Sequence, residues 1–468
     1  MAKKLFGTDG IRGVANLELK PELAFKLGRA IAASLPAEAF EARASRRPSV
    51  LIGRDTRRSG KMLEAALSAG LNSAGVDAVL AGIVPTPAIS ILLQDDRFDA
   101  GVVVSASHNP PEYNGLKVFM AGGKKLSDEQ ELQIEKLLHT EDVPLPQFCD
   151  EPTDACACRP SRPIGTALGT VRELETATEE YVQRLVALFP ANALQGMKIA
   201  LDCGHGASFK ASPAAFETLG AEVTVLNEDF DGDDINLDCG STHLEVVADC
   251  VKSGGFDLGI AHDGDADRML AVDQKGAEVD GDYIMAICAK YLKDSGQIEN
   301  IPVVGTVMAN LGFVRALEDM GISVETTAVG DRYVLKRMHE TGAILGGEQS
   351  GHIIFLQHNS TGDGLLSALM LSYILAQSSQ PLSELCKVMK SYPQVLINVS
   401  VQNKDIAGSS ALQNAIVDAE DTLGNSGRVL VRASGTEKMV RVMVEASEEE
   451  LAQKLAERLA VLVEEELG

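Results

Sequence analysis

The sequence predicts an α/β protein in which three similar α/β domains with mixed sheets precede a smaller C-terminal α+β domain. Three observations carry that prediction. Short apolar runs, VLIG at 50–53, VVV at 102–104 and LGIA at 258–261, suit strands buried on both faces. They alternate with helix-length segments of 3.6-residue periodicity, the pattern of successive βαβ units. The order changes after residue 390, where strands at 395–402, 427–432 and 439–446 are interleaved with helices at 409–423 and 448–467.

A chain of 468 residues is long for one core, so three or four domains are expected. A hydrophobic content of 45% with 43 glycines fits an ordered α/β protein. The chain has no Trp and few aromatic residues, and its net charge of −25 repels a polyanion, so no nucleic-acid partner is expected. The start MAKKLFGTDGIRG has no apolar leader core and no later stretch is long enough to span a bilayer, so the reading is cytoplasmic with no membrane contact. Eight cysteines are too sparse for a disulfide scaffold. Cys149, Cys156 and Cys158 crowd one loop, but their spacing matches no standard zinc pattern.

In chain order, GTDGIRG at 7–13 suits a tight loop whose backbone approaches a ligand, with Arg12 as its charged tip. A helix over 21–35 opens with proline and keeps one apolar face. A strand at 49–55 ends in Arg54, Asp55, Arg57 and Arg58. Helix 60–74, strand 76–80 and helix 85–93 lead to strand 102–104, which stops at Ser105-Ala106-Ser107-His108-Asn109-Pro110. Open α/β sheets bind ligands at that edge, so a serine there is placed like a nucleophile, and Lys117 can return to it as a cation. A helix-capping turn is the plain alternative.

Helix 127–139 gives way to a linker over 141–170. A second series has helices at 179–189, 213–219 and 244–253 and strands at 197–202, 222–226 and 256–261, and it ends in HDGDADR. A third has strands at 269–273, 302–306, 323–327 and 343–345 and helices at 282–292, 311–320 and 332–340, and it leads into GGEQSGH at 346–352. Helices at 364–378 and 382–390 close it. The expected domains are a serine-loop domain at 1–165, a metal-binding domain at 166–267, a sugar-binding domain at 268–390 and a phosphate-binding domain at 391–468.

The polar loops carry the chemistry. Asp263, Asp265 and Asp267 can converge on one hard cation, and three carboxylates with open positions suit Mg²⁺ sharing its shell with a phosphate, which Arg268 could pair. An EF-hand is excluded, because Arg268 fills the sixth position and Gln274 the twelfth. Asp229, Asp231 and Asp233 read as a solvated acidic turn. Glu348 and Ser350 can grip two sugar hydroxyls, or a hydroxyl and an amine, although a plain hairpin turn fits GGEQSGH nearly as well. In RASGTEKMVR, the backbone around Gly435, the hydroxyls of Ser434 and Thr436, and Arg432 and Arg441 make a cradle for a substrate phosphate; simple turns of this composition are also frequent.

Taken in order, a serine loop, DGDADR, GEQSGH and a C-terminal SGT loop resemble the α-D-phosphohexomutase family along nearly the whole chain. KLFGTDGIRG, SASHNP, GDRYV at 330–334 and Gln349 resemble its branch acting on glucosamine phosphate rather than glucose or mannose phosphate. The resemblance implies four domains around a central cleft, the last a mobile lid. It implies that Ser107, and not Ser105, is carried as phosphoserine, an activating phosphorylation. Asp263, Asp265 and Asp267 would then bind one Mg²⁺ together with the Ser107 phosphate. Lys117 and Arg268 would flank that phosphate, with Arg12 and His108 also among the catalytic groups. Glu348 and Ser350 would hold the sugar, and Arg432, Ser434, Gly435, Thr436 and Arg441 the non-reacting phosphate. Ala433 and Lys438 stand where relatives usually carry proline.

The implied reaction interconverts glucosamine 6-phosphate and glucosamine 1-phosphate through a 1,6-bisphosphate, which also serves as activator, and feeds UDP-N-acetylglucosamine and cell-wall precursor synthesis. The implied partner is a small sugar phosphate, and the chain would be a monomer or homodimer. The alternatives are a mutase for glucose or mannose phosphates and a non-catalytic sugar-phosphate-binding protein.

Overall fold

The structure, a computed structural model, describes residues 5–7, 9–36, 39–40, 46–140, 143, 162–434 and 438–468. The loop with Cys149, Cys156 and Cys158, and the candidate residues Gly435 and Thr436, lie outside the described residues. The first sheet has seven strands: β1 (Ile11–Val14), β2 (Ser49–Arg54), β3 (Asp77–Ile83), β4 (Ala100–Val104), β5 (Tyr113–Met120), β6 (Lys124–Lys125) and β7 (Val171–Glu173). They run in the order β1-β5-β4-β2-β3-β7, with β6 beside β5. The strands β4, β2, β3 and β7 are parallel, while β1 and β5 are antiparallel additions, so the sheet is mixed.

The second sheet comprises β8 (Lys198–Asp202), β9 (Glu222–Leu226), β10 (Leu258–His262), β11 (Met269–Asp273) and β12 (Glu278–Val279), in the order β12-β11-β10-β8-β9. The sequence reading starts the third series at β11. The structure instead folds β11 back antiparallel on β10, because the six-residue loop between them reverses the chain within one sheet. The third sheet, β13 (Val303–Thr306), β14 (Val324–Thr327), β15 (Leu345–Gly347) and β16 (Ile353–Phe355), is also mixed, with β15 parallel to β13 and antiparallel to β16. The fourth, β17 (Gln394–Ser400), β18 (Gly427–Ala433) and β19 (Met439–Ala446), is wholly antiparallel, and Val440, Val442 and Val444 turn into its own helix-covered core. Three mixed α/β sheets and a C-terminal α+β sheet are therefore present as expected.

The sequence reading contains none of β1, β5, β6, β7, β12 and β16; of these, β1 within the glycine-rich opening and β5 after the serine loop frame the site. Both are short of uninterrupted apolar residues, and both are held by pairing to β4 or to each other. The helix expected at 382–390 is also shorter, Leu382–Leu385 followed by one 3₁₀ turn.

The chain packs as two compact units, Met1–Val307 with Glu325–Cys386, and Met308–Val324 with Lys387–Gly468. Helix Leu311–Asp319, which follows β13 in sequence, thus belongs to the second unit. The Leu311 N–H donates to Glu445 Oε2 (3.1 Å), the Asn310 side chain donates to Tyr392 O (2.9 Å), and Arg428 donates to Ala309 O.

In the first unit, helices Pro21–Ser34 and Gly60–Ser73 cover one face of the first sheet and meet at Gly28 and Gly70. A Cβ on Gly70 would lie 2.1 Å from Phe25 O. Alanine gains up to about 1 kcal/mol in helix propensity over glycine. Overpacking against backbone costs about 1–3 kcal/mol, so the clash outweighs the gain. Gly70→Ala is expected to lower the urea-unfolding free energy of the first unit by about 1 kcal/mol or more, and an increase in stability would contradict this packing.

Candidate active site

The site forms where two sheets present loops at the C-terminal ends of buried parallel strands. All five residues of β4 are buried, so the chain leaves the sheet abruptly into the turn at 105–110 and returns as β5. Lys117 lies directly opposite Val103 in that pairing, which carries the ten-residue return back to the serine. In the second sheet β10 is likewise buried throughout and leaves into Asp263–Arg268 before β11 returns. The two loops meet. Ser107 Oγ donates to Asp263 Oδ2 at 2.5 Å, joining residues 156 apart in sequence.

The neighbouring charges are almost wholly enclosed. Ser107, Asp263 and Asp265 are fully buried, and Asp267 and Lys117 are 2% exposed. Lys117 Nζ donates to Asp265 Oδ2 (2.8 Å) and Asp267 Oδ2 (2.9 Å), and lies 2.9 Å from Asp9 Oδ2. Burial alone would lower the Lys117 pKa, but Asp265, Asp267 and Asp9 more than offset it, so the ammonium is held well above its usual range. Burial likewise would raise Asp267, yet Lys117, His352 and Arg268 keep it well below the usual carboxylate range. Asp263 has no such set of cations. Burial, with Asp267 and Asp265 beside it, pushes its carboxyl up to about 8.

A divalent cation fits this donor set. One oxygen from each of Asp263, Asp265 and Asp267 lies within 4.8 Å of the others, the one such cluster among the described residues. Asp265 Oδ1 and Asp267 Oδ1 are buried without a hydrogen bond, and such acceptors ordinarily have a partner. Oxygen-only ligands suit a hard cation.

Arg12 and Arg268 bring positive charge to the same place. Arg12 projects from β1, donating to Asp9 Oδ2 (2.8 Å) and Asn109 Oδ1 (3.5 Å). Arg268 Nε lies 3.7 Å from Asp267 Oδ1, and its N–H donates to Asp263 Oδ1 (3.2 Å). His108 Nδ1 is 3.4 Å from Ser107 Oγ; burial, then Arg268 and Arg12, lower its pKa to about 4, so the ring is neutral at pH 7.

Glu348 and Ser350 sit on the hairpin between β15 and β16, so a turn and a polar presentation coexist there. Glu348 Oε1 accepts from Gly330 N–H (3.0 Å), and its charge reaches Arg268. Ser350 is exposed at the tip. Gln349 turns away to donate to Asp280 Oδ2 (3.0 Å), the cap of helix Gly281–Asp294.

Three groups that the sequence reading passed over complete the cluster. His352, 2% exposed, lies 3.6 Å from Asp267 Oδ1 and accepts from Gly362 N–H (3.0 Å). Burial would lower its pKa, but Asp267 and Asp331 raise it. Lys125 bridges Asp9 (2.8 Å) and Asp331. Asp331 belongs to GDRYV, a motif whose sequence gives no sign that its aspartate is an ionic partner of the first domain.

In the second unit, Arg432 and Arg441 face each other across the β18–β19 ladder. Burial and then Arg441 lower the Arg432 pKa, the signature of two cations held side by side. The Ser434 N–H donates to Met439 O (2.9 Å), and Lys404 Nζ donates to Ser434 O (2.7 Å), adding a third cation that the sequence reading missed.

Because Asp263 keeps its proton up to about pH 8, a cation must displace that proton to bind. Affinity for a divalent cation should therefore fall as pH drops below 8. Calorimetry in two buffers of different ionisation enthalpy should show about one proton released per cation at pH 7 and fewer at pH 9. Equal release at both would contradict the placement of the charge.

Residues 3–144, 179–276, 280–392 and 396–462 match, in turn, domains I, II, III and the C-terminal domain of the phosphoglucomutase/phosphomannomutase family. A phosphoglucosamine mutase of Clostridium novyi is 49% identical over 99% of both chains, and one of Geobacillus kaustophilus is 48% identical over 99% of both. Among solved structures, a phosphoglucomutase/phosphomannomutase family protein of Burkholderia thailandensis superposes with a TM-score of 0.76 at 24% identity, covering 100% of this chain and 99% of that one. An Aspergillus fumigatus N-acetylphosphoglucosamine mutase solved with GlcNAc-6P and magnesium gives 0.63 at 20% identity, covering 89% and 82%. Four domain matches in order and full-length relatives at 48–49% identity show that the chain belongs to the phosphoglucomutase/phosphomannomutase family, the α-D-phosphohexomutases.

Proposed function

We propose that this protein interconverts glucosamine 6-phosphate and glucosamine 1-phosphate, the activity its relatives' names state, using a phosphoryl group carried on Ser107. The observation that most supports this reading is the 2.5 Å contact between Ser107 Oγ and Asp263, inside a buried cluster where Asp265 and Asp267 each keep an oxygen without a hydrogen bond. A bound Mg²⁺ on the three aspartates would neutralise charge on the phosphoryl oxygens. Everything else is asked of the chain itself.

In the first half-reaction the sugar 1-oxygen attacks phosphorus. A P–O bond to the sugar forms as P–Oγ breaks, and the proton lost by the sugar hydroxyl is balanced by one gained at Oγ. Asp263 Oδ2 accepts the hydrogen bond of the resulting hydroxyl. The 1,6-bisphosphate then turns over. In the second half-reaction Oγ attacks the 6-phosphate, P–O6 breaks, and O6 takes up a proton as glucosamine 1-phosphate leaves. A loose phosphoryl-transfer transition state needs positioning and positive charge, which Lys117, Arg268 and Arg12 would supply. Lys117, held as an ammonium by three carboxylates, suits charge stabilisation rather than proton abstraction. Glu348 and Ser350 would hold the sugar, and the Arg432–Arg441 pair with Ser434 a phosphate of the substrate. The neutral His108, 3.4 Å from Oγ, would offer a polar contact there without adding positive charge.

A sugar 1,6-bisphosphate as activator belongs to the same proposal. So does operation in the cytoplasm; no helix among the described residues is long and apolar enough to cross a membrane. Lys117→Met should reduce kcat by about 10²–10³-fold, the scale of losing one preorganised electrostatic group, with KM little changed. Assayed side by side, glucosamine 6-phosphate should be turned over with a higher kcat/KM than glucose or mannose 6-phosphate. Preference for either of the latter would overturn the sugar assignment and leave the phosphoserine chemistry standing.

A further inference from the structure

Arg57 takes no part in the chemistry above, yet it is a large charged side chain only 1% exposed. Burying a guanidinium is unfavourable unless it is paired and hydrogen-bonded, so its partners show what it is for. Its Nε donates to Asp55 Oδ2 (2.9 Å), and its two terminal nitrogens donate to the carbonyls of Ser107 (3.0 Å), Asn109 (2.7 Å), Tyr113 (3.0 Å) and Pro110. From the second sheet's side, Asn236 Nδ2 donates to the same Ser107 and Asn109 carbonyls at 2.9 and 3.1 Å. The Ser107 N–H is held too, by Ser105 Oγ (3.0 Å), whose hydroxyl donates to Asp55 Oδ2 (2.6 Å).

Both backbone polar groups of residue 107 are thus bonded, and its carbonyl doubly so. That backbone is also in an unusual state, with φ at 55°. A left-handed conformation costs an L-residue other than glycine about 1–2 kcal/mol, and it persists where surrounding bonds impose it. Gly264, inside the carboxylate loop, makes room for the grip: a Cβ there would lie 2.8 Å from Ser107 O and 2.9 Å from Asn236 Nδ2.

We propose that Arg57 and Asn236 are positioning residues for the phosphoryl transfer, clamping the serine turn from behind so that Oγ keeps one direction toward Asp263. This rests on the phosphoserine reading above. Neither residue touches substrate. Their effect runs through the backbone of residue 107, where displacement of a reacting atom by 1 Å costs about 10²-fold in rate.

Asn236 offers the cleaner test. It sits at φ 60°, so Asn236→Gly keeps the backbone freedom and removes both donors, and Asn236→Asp keeps the shape while facing a carboxylate to two carbonyls. With the full-length enzyme and glucosamine 6-phosphate, Asn236→Gly should lower kcat by about 10–100-fold while KM stays within about threefold. Its thermal midpoint should fall by only a few degrees, and Asn236→Asp should lose more activity. Single-turnover discharge of phosphoserine should slow in parallel with kcat. A kcat within about threefold of the parent, a KM rising as much as kcat falls, or a loss that vanishes when activity is normalised to folded protein would overturn the clamp. Absence of mutase activity in the parent would instead overturn the function on which it rests.

Discussion

One ammonium group and the carboxylates around it constrain the rest of the site. Lys117 is buried, and a lone buried ammonium would lose its proton or unfold its surroundings. It is kept charged because Asp9 from the opening loop and Asp265 and Asp267 from the second sheet's loop all lie within 2.9 Å. Removing either segment would unbalance charges buried inside the protein. The cation is therefore a reason that distant parts of the chain come together.

The same balance explains how three neighbouring aspartates serve different ends. Asp267 is stabilised as a carboxylate by Lys117, His352 and Arg268, whereas Asp263 lies beside the serine and beside like charges. A cation on the triad would relieve the second situation. Further out, Lys125, Asp331 and Asp9 continue the alternation of signs, so GDRYV, the neighbour of the β15–β16 hairpin, is tied electrostatically to the serine-loop sheet. Loops on three sheets are thereby held in register by charge, while the sheets beneath them are held by apolar packing.

Much of this is legible in the sequence, for a physical reason. A strand buried on both faces must be apolar throughout, so VVV and LGIA end sharply where polar chemistry begins, and the loops at Ser107 and Asp263 stand out against them. Carboxylates at alternate positions directly after such a strand mark a candidate cation site, which the exposed run Asp229-Asp231-Asp233 lacks, and the GEQSGH hairpin announces itself by its glycines. What stays hidden is pairing between distant segments. β1 and β5 lack an apolar run and exist because β4 offers β5 an edge and β5 in turn offers one to β1, and helix Leu311–Asp319 reads as part of the third series although its N-terminus is bound by Glu445. Asn236 and Arg57 are equally unmarked, since an asparagine in an acidic turn and an arginine after a strand look like surface residues until their partners are known. Gln349, by contrast, is conspicuous in sequence and in the structure caps a helix through Asp280.

The account stands on Ser107 as the carrier of the transferred group, and intact-protein mass with peptide mapping tests it most directly. Protein incubated with Mg²⁺ and glucose 1,6-bisphosphate should gain a single phosphoryl group located on Ser107, lose it on addition of glucosamine 6-phosphate, and fail to gain it as Ser107→Ala. A phosphoryl group that stays on when substrate is added, or no phosphorylation of Ser107 at all, would contradict the shuttle.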